Sequence, residues 1–339
     1  MKICFLASAS SAHTIRWANT FVDKGYEIHI ITMHPNLNQS LDLRIKVYNL
    51  KLNNTFGYYL NYKEVNRLIN LIQPDVLHVH YASGYGTLGR LTKYHPTLLS
   101  VWGSDVYIYP HKNIINKKIL TKNLKSADQI ASTSFDMKKK IEDFFVPKKE
   151  IEITPFGIDT TLFYKFPEIL KEDIIIGTVK SLEYVYGIDI LLSVFKKTLD
   201  LLEEQVEKEL LEKVKLLIVG KGSEEKYLKA LSDSLGLSSK VIFQEAVPNA
   251  EVPKFLNEID IFCALSRSES FGVSVLEASA CELPVIVSDV GGLPEVVVNN
   301  KSGYIVENTN IIKIASQIIE LIKNEELRHR MGKEGQNML

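Results

Sequence analysis

The sequence predicts an α/β protein of two doubly wound parallel-sheet domains, on three observations. Short, β-branched apolar runs alternate with longer amphipathic stretches from the first residues onward, as in βαβ units whose strands are covered on both faces. The alternation stops at a proline-bounded segment, Pro147 to Pro155, and restarts at Ile174-Ile175-Ile176. The length, 339 residues, suits two cores of about 150 to 200 residues each. The predicted domains are residues 1–160 and 161–339, both Rossmann-like.

Strand Lys2 to Ala7 leads to a helix from Thr14 to Gly25 and strand Glu27 to Thr32, followed by strands Asp75 to His80 and Leu98 to Trp102. Ile153-Thr154-Pro155-Phe156-Gly157-Ile158-Asp159 reads as the exit from the first domain, and Pro167 closes the linker. The second domain opens with strand Ile174 to Val179 and a long helical stretch from Ile188 to about Val214. Strand Lys215 to Val219 runs into Gly220-Lys221-Gly222. Helix Glu224 to Leu235, strand Val241 to Gln244, helix Pro253 to Glu258 and strand Asp260 to Ala264 come next. Beyond the Ser266 to Gly272 loop lie a helix to about Cys281, strand Pro284 to Ser288, and a turn at Gly291-Gly292 with a further helix. Closing helices start at Ile311 and Glu325.

Composition narrows the function classes. Apolar residues make up 45% and charged ones 24%, with mean hydropathy essentially zero, as in soluble globular proteins. No apolar run approaches the roughly 18 residues that span a bilayer, and Met1 to Leu6 reads as a buried strand rather than a signal peptide. Cys4, Cys263 and Cys281 sit in apolar runs and read as core thiols of a cytoplasmic protein. The net charge of −1 hides +8 on residues 1 to 165 and −9 on the rest, much of the excess coming from ten lysines between Lys112 and Lys149. Two readings stay open for that basic half. One is a solvated helical face; the other is peripheral contact with anionic lipid headgroups, at the inner face of a membrane, or with an acidic acceptor. Nucleic acid is not an expected partner, because aromatic interleaving and zinc-finger spacing are missing.

The most informative stretch is Glu269-Ser270-Phe271-Gly272-Val273-Ser274-Val275-Leu276-Glu277-Ala278, between a buried strand and a helix. A strand that ends in a tight loop and feeds a helix presents unpaired N–H groups, here of about Phe271 to Ser274, and the positive end of the dipole, which suit a phosphate. Gly272 permits close approach. Glu277 points back toward the helix start and can accept hydrogen bonds from a ribose diol, while Glu269 can bind hydroxyls of a second moiety.

This segment resembles the Glu-x7-Glu motif of the retaining family 4 glycosyltransferases. The matching run extends from Asp260 to Ile305 and includes Pro284-Val285-Ile286, Gly291-Gly292, Pro294-Glu295 and Gly303-Tyr304. Val219-Gly220-Lys221-Gly222 is similar to the family's Gly-x-Gly turn, and Pro155 to Asp159 to its interdomain motif. The opening strand with His13-Thr14-Ile15-Arg16-Trp17 is similar to one subgroup's start. The resemblance implies the GT-B fold, two Rossmann-like domains facing across a cleft, with the donor mainly on the second and the acceptor mainly on the first. It assigns Glu277 to the donor ribose and Glu269 to the transferred sugar, with Ser270, Phe271, Gly272, Val273 and Gly220 beside the donor. It also implies transfer from a nucleoside diphosphate sugar to a glycan or lipid-linked glycan acceptor, with retained configuration, in surface polysaccharide assembly. No metal is expected, since basic groups and a helix N-terminus stabilise the leaving diphosphate.

Departures from the pattern single out further residues. Lys180 stands where the family has Arg, and Tyr186, before Gly187, where it has Lys. Lys180 serves as a point charge without the bidentate fork of Arg, and Lys221 is a candidate for the missing cation if its loop converges with that of Lys180. Trp102 replaces a His in Val101-Trp102-Gly103-Ser104-Asp105 and either stacks on a sugar or packs in the core. Asp105 is predicted as a hydroxyl ligand, catalytic beside Glu269 and Lys180, and His13 as an acceptor-side residue. A long closing helix that returns to the first domain is expected of the family, and this chain reads as stopping before it. Three rival readings remain: an NAD-dependent oxidoreductase, suggested by Gly84-Tyr85-Gly86-Thr87-Leu88-Gly89, a non-catalytic nucleotide-sugar-binding relative, and a nucleotide-sugar epimerase.

Overall fold

The computed structural model describes residues 1–35, 41–167 and 171–339. The chain divides into two compact units, Met1–Phe156 and Gly157–Leu339.

The first unit is a seven-stranded parallel sheet. Its strands are β1 (Lys2–Leu6), β2 (Glu27–Thr32), β3 (Lys46–Asn49), β4 (Val76–His80), β5 (Thr97–Val101), β6 (Gln129–Ser132) and β7 (Glu152–Ile153), in the order β3-β2-β1-β4-β5-β6-β7. Side chains of β1 alternate between two cores. Cys4 and Leu6 join Ile31, Leu77, Val79, Leu99 and Val101 on one face, while Ile3 and Phe5 join Ala18, Ile28 and Ile30 on the other. That alternation makes the central strands apolar at nearly every position, which is why they are legible as short continuous runs. The edge strand β3, in contrast, is mostly exposed and carries no such signal, and two-residue β7 falls inside the stretch read as a break.

Gly84 to Gly89 lie inside helix Gly84–Thr92 and form no phosphate loop. A Cβ on Gly84 would meet the Tyr58 ring at 2.6 Å, and one on Gly89 would meet Val79 at 2.8 Å. The glycines let this helix pack closely on its neighbours, which removes the basis for the dinucleotide reading.

The second unit holds β8 (Ile174–Val179), β9 (Val214–Val219), β10 (Val241–Gln244), β11 (Ile261–Ala264), β12 (Val285–Ser288) and β13 (Gly303–Val306). They form a parallel sheet in the order β10-β9-β8-β11-β12-β13. The stretch read as one long helix is two, Ile188–Glu204 and Lys208–Lys213, because Val206 turns to φ +62. The helix expected after Gly291-Gly292 is only the 3₁₀ turn Leu293–Glu295; Pro294 removes a backbone donor there, and Val296 and Val297 are drawn into the core.

Strand order reverses direction between β1 and β4 in the first sheet and between β8 and β11 in the second. The carboxyl ends of strands at such a switch point diverge and leave a crevice for a ligand.

Candidate active site

In the second unit, Lys180 is the first residue beyond β8 and Glu269 follows β11, so the two flank the switch point. The Lys180 ammonium donates a hydrogen bond to the Glu269 carboxylate, and the two side chains are only 10% and 12% exposed. The same ammonium lies 4.7 Å from the centre of the Tyr186 ring. A cation so shielded is held by its counter-ion and by the ring's negative face together. Tyr186, standing where the family has Lys, therefore acts through its ring. Burial pushes its phenol above the usual range.

The turn that presents Tyr186, Tyr184–Tyr186, is clamped from the Glu269 loop. Arg267 donates to both carboxylate oxygens of Asp189 at 2.8 and 2.6 Å, and to the Tyr184 carbonyl at 2.8 Å. Its guanidinium covers the Tyr184 ring at 3.9 Å, and its backbone N–H donates to the Val185 carbonyl at 2.7 Å. Burial alone would raise the Asp189 carboxyl, but the bonds and charge of Arg267 bring it below its ordinary value. The sequence reading missed this clamp. Its only trace there is an arginine two residues before Glu269 and an acid in the first turn of the helix that begins at Ile188.

Glycines let the loops touch. The Gly292 N–H donates to the Glu269 carbonyl at 3.0 Å, and a Cβ on Gly291, at φ +56, would stand 1.8 Å from that oxygen. Gly272, at φ +105, starts helix Val273–Ala280. The N–H groups of Val273 and Ser274, which open that helix, have no intrahelical partners. The Ser274 hydroxyl, buried at the same point, lacks a hydrogen-bond partner among the described residues. Ser270 and Val273 are half-buried beside it. Phe271 is buried and anchors the loop in the core, so only its backbone is available to a ligand. Glu277 lies inside this helix with only 8% of its surface exposed.

The loops of Lys180 and Lys221 do converge. The Lys180 N–H donates to the Val219 carbonyl and the Leu182 N–H to the Lys221 carbonyl, both at 3.0 Å. A Cβ on Gly220 would lie 1.9 Å from the Lys180 carbonyl, so the zipper requires a glycine. The Lys221 side chain itself is exposed.

In the first unit, His13 stacks on Phe156 with ring centres 3.8 Å apart and meets Trp102 edge-on at 5.6 Å. Trp102 packs on His80 at 4.5 Å, and His80 on His78 at 4.4 Å. Trp102 thus belongs to an aromatic wall at the strand ends, half-buried, with one side still accessible. Asp105 does not remain a hydroxyl ligand. It is fully buried, and its carboxylate accepts the N–H groups of Ala82, Trp102 and Gly103 at 2.7, 3.2 and 2.8 Å. It ties the loop after β5 to the loop after β4, and burial raises its pKa against the pull of those bonds.

The histidines give this unit an acid-sensitive core. Burial lowers His13 to about 4, with Arg16 adding to the effect, and lowers His78 to about 3; His80 falls well below the ordinary 6.5. These rings are neutral when folded and protonate below about 6.5 once unfolded. Stability is thus unaffected above that pH and declines as pH falls toward 4, on the order of 1–3 kcal/mol per ring. We expect the urea midpoint to drop between pH 7 and 4.5, with a smaller drop in His78→Gln. An unchanged drop would remove His78 from this account.

Comparison with known proteins decides the family. The profile of glycosyl transferases group 1 matches residues 161–338, and that of glycosyl transferase 4-like proteins matches residues 2–134. This chain belongs to the glycosyl transferases group 1. It is 28% identical to N-acetyl-α-D-glucosaminyl L-malate synthase of Bacillus anthracis over 91% of this chain and 83% of the relative. It is 29% identical to the capsular polysaccharide biosynthesis glycosyltransferase CapM of Staphylococcus aureus, over 65% and 53%. The structure of HepE from Anabaena, solved with UDP and glucose, superposes with a TM-score of 0.81 at 16% identity, covering 100% of this chain and 94% of that one. The fold is GT-B.

For a glycosyltransferase, the assembly around Lys180 offers one shielded cation and one carboxylate in contact, with a helix N-terminus behind the carboxylate loop. Transfer builds negative charge on the leaving group, and fixed positive groups aimed at it favour the transition state. Lys221→Ala is expected to lower kcat by about tenfold or more while leaving stability within ~0.5 kcal/mol. A wild-type rate would show that Lys221 does not replace the missing family Lys.

Proposed function

We propose that this glycosyltransferase binds a nucleoside diphosphate sugar in its second unit and transfers the sugar with retained anomeric configuration, without a metal ion. The observation that carries this reading is the Lys180–Glu269 pair on the Tyr186 ring at the β8/β11 switch point. When a diphosphate enters, its charge competes with Glu269 for Lys180, and the freed carboxylate faces the sugar. Glu277 accepts hydrogen bonds from the ribose diol, and the first-turn N–H groups of Val273 and Ser274 donate to the phosphate.

The donor class is a hexose or N-acetylhexosamine, a choice supported by the N-acetyl-α-D-glucosaminyl group in the name of the Bacillus relative. The acceptor is a glycan or lipid-linked glycan bound on the first unit near His13 and Trp102, in surface polysaccharide assembly on the cytoplasmic side of the membrane. The capsular relative supports that setting. No helix among the described residues is long and apolar enough to cross a membrane.

A panel of UDP-, GDP- and ADP-sugars tests the reading. One base is expected to raise the thermal midpoint, by about 2.7 kcal/mol of added stability at a ligand concentration a hundred times Kd. Product NMR is expected to show the donor's own anomeric configuration. Inversion, or an absolute need for a divalent cation, would overturn the corresponding part.

A further inference from the structure

We propose that the first unit carries a second ligand site, a cleft for a soluble nucleoside di- or triphosphate at the amino ends of β5 and β6. It lies at the opposite edge of the sheet from Trp102, which follows β5, and from the His13 ring against Trp102. The site does not depend on the function proposed above.

The cleft holds about 500 Å³, within the range of small-molecule sites. Three separate stretches of chain bring cations to it: Arg90 with Lys93, Lys125, and Lys148 with Lys149. Asp128 is the one carboxylate in the lining, and it is already engaged. It accepts from the His95 ring and from the Thr97 N–H, both at 2.7 Å. None of the five cations takes part in an ion pair among the described residues. Arg90 is half-buried and anchored by its Nε, which donates to the Asn123 side chain at 2.8 Å. Its two terminal nitrogens have no partner among the described residues.

Helix dipoles explain only part of this gathering. Arg90 and Lys125 stand in the last turns of helices Gly84–Thr92 and Ile114–Ser126, where a cation is favoured. Lys93 lies past the first of those helices, and Lys148 and Lys149 lie in the stretch before β7, so no helix end calls for them. A solvated lysine face spreads its charges over one helix, whereas these converge on a cavity from three segments. Like charges held together repel, and a multiply charged anion among them relieves the repulsion. The free nitrogens of Arg90 suit two phosphate oxygens at once.

A neighbouring cavity selects the rest of the ligand. It holds about 310 Å³, shares Lys125, Asp128, Lys148 and Lys149 with the first, and adds the apolar groups of Leu124, Phe145, Val146 and Pro147. Val146 is 90% exposed and fills no core. A basic chamber opening on an apolar one fits an anion with a flat body, its phosphates among the cations and its base against Phe145 and Val146. A bilayer surface would meet only the rim of such a cleft, while a free anion enters it.

Equilibrium dialysis of the full chain with magnesium-free ATP and with inorganic triphosphate tests the site. Both are expected to bind, ATP the more tightly, with affinity falling as salt rises. Lys148→Gln/Lys149→Gln is expected to weaken both by about tenfold or more, while an unchanged urea midpoint reports an intact fold. Lys180→Met/Glu269→Gln, altered in the second unit, is expected to keep the wild-type affinity. The reverse pattern, with binding kept in the lysine variant and lost in the Lys180 variant, would place the anion at the transfer site and overturn the proposal. So would no binding of either probe, or capture by phosphatidylglycerol vesicles without binding of the soluble anions. Equal affinity for ATP and triphosphate would strike the apolar cavity from the site.

Discussion

Lys180→Met should lower turnover by about 10²- to 10³-fold, the size of effect seen when one fixed group facing developing charge is removed. It should also destabilise the second unit by about 3–5 kcal/mol, because Glu269 would be left shielded from water without its counter-ion; its side chain is only 12% exposed. The double variant Lys180→Met/Glu269→Gln separates the two effects. It buries no lone charge, so stability should return to within about 1–2 kcal/mol of wild type, while activity stays lost. Urea denaturation and single-turnover kinetics read the two quantities. An active double variant would remove the pair from the chemistry, and a Lys180→Met enzyme of normal stability would contradict the shielded geometry.

Gly291→Ala should be damaging although the residue carries no side chain of its own. Its backbone is left-handed at φ +56, and the added methyl would stand 1.8 Å from the Glu269 carbonyl oxygen. Conformational strain contributes about 1–2 kcal/mol, and moving one of two touching backbones brings the total to about 3–4 kcal/mol. If the Glu269 loop yields, the carboxylate moves with it, and a displacement of about 1 Å can cost on the order of 10²-fold in rate. Gly236→Ala is the control, since Gly236 is also left-handed at φ +71 but has nothing within 4 Å of the added carbon. It should show the strain alone, with normal turnover. Equal losses in the two variants would mean that the contact with Glu269 carries no weight.

Much of the fold was legible because a parallel strand buried on both faces is apolar at nearly every position, as in β1 and β11. Strand β3 was not, since an exposed edge places no demand on its side chains. The break at Val206 was hidden for a different reason: the residues around it are good helix formers, and nothing in their types announces the φ of +62. Gly84 to Gly89 show the opposite error, a motif spacing that matched a phosphate loop while the glycines serve helix packing.

At the candidate site, residue types and spacing alone determined which groups are present, namely Glu269, Glu277, Lys180 and a glycine-marked helix start. Chemistry of that kind depends on local order along the chain, and local order is what a sequence displays. The tertiary structure decided how those groups are used. It set Lys180 against Glu269 over the Tyr186 ring, turned Asp105 inward onto three backbone donors, and supplied the Arg267–Asp189 clamp. The deciding contact in each joins residues apart in the chain, by 89 positions for Lys180 and Glu269, 78 for Arg267 and Asp189, and 23 for Asp105 and Ala82. A charge's role depends on what burial leaves beside it, and only folding brings those neighbours together.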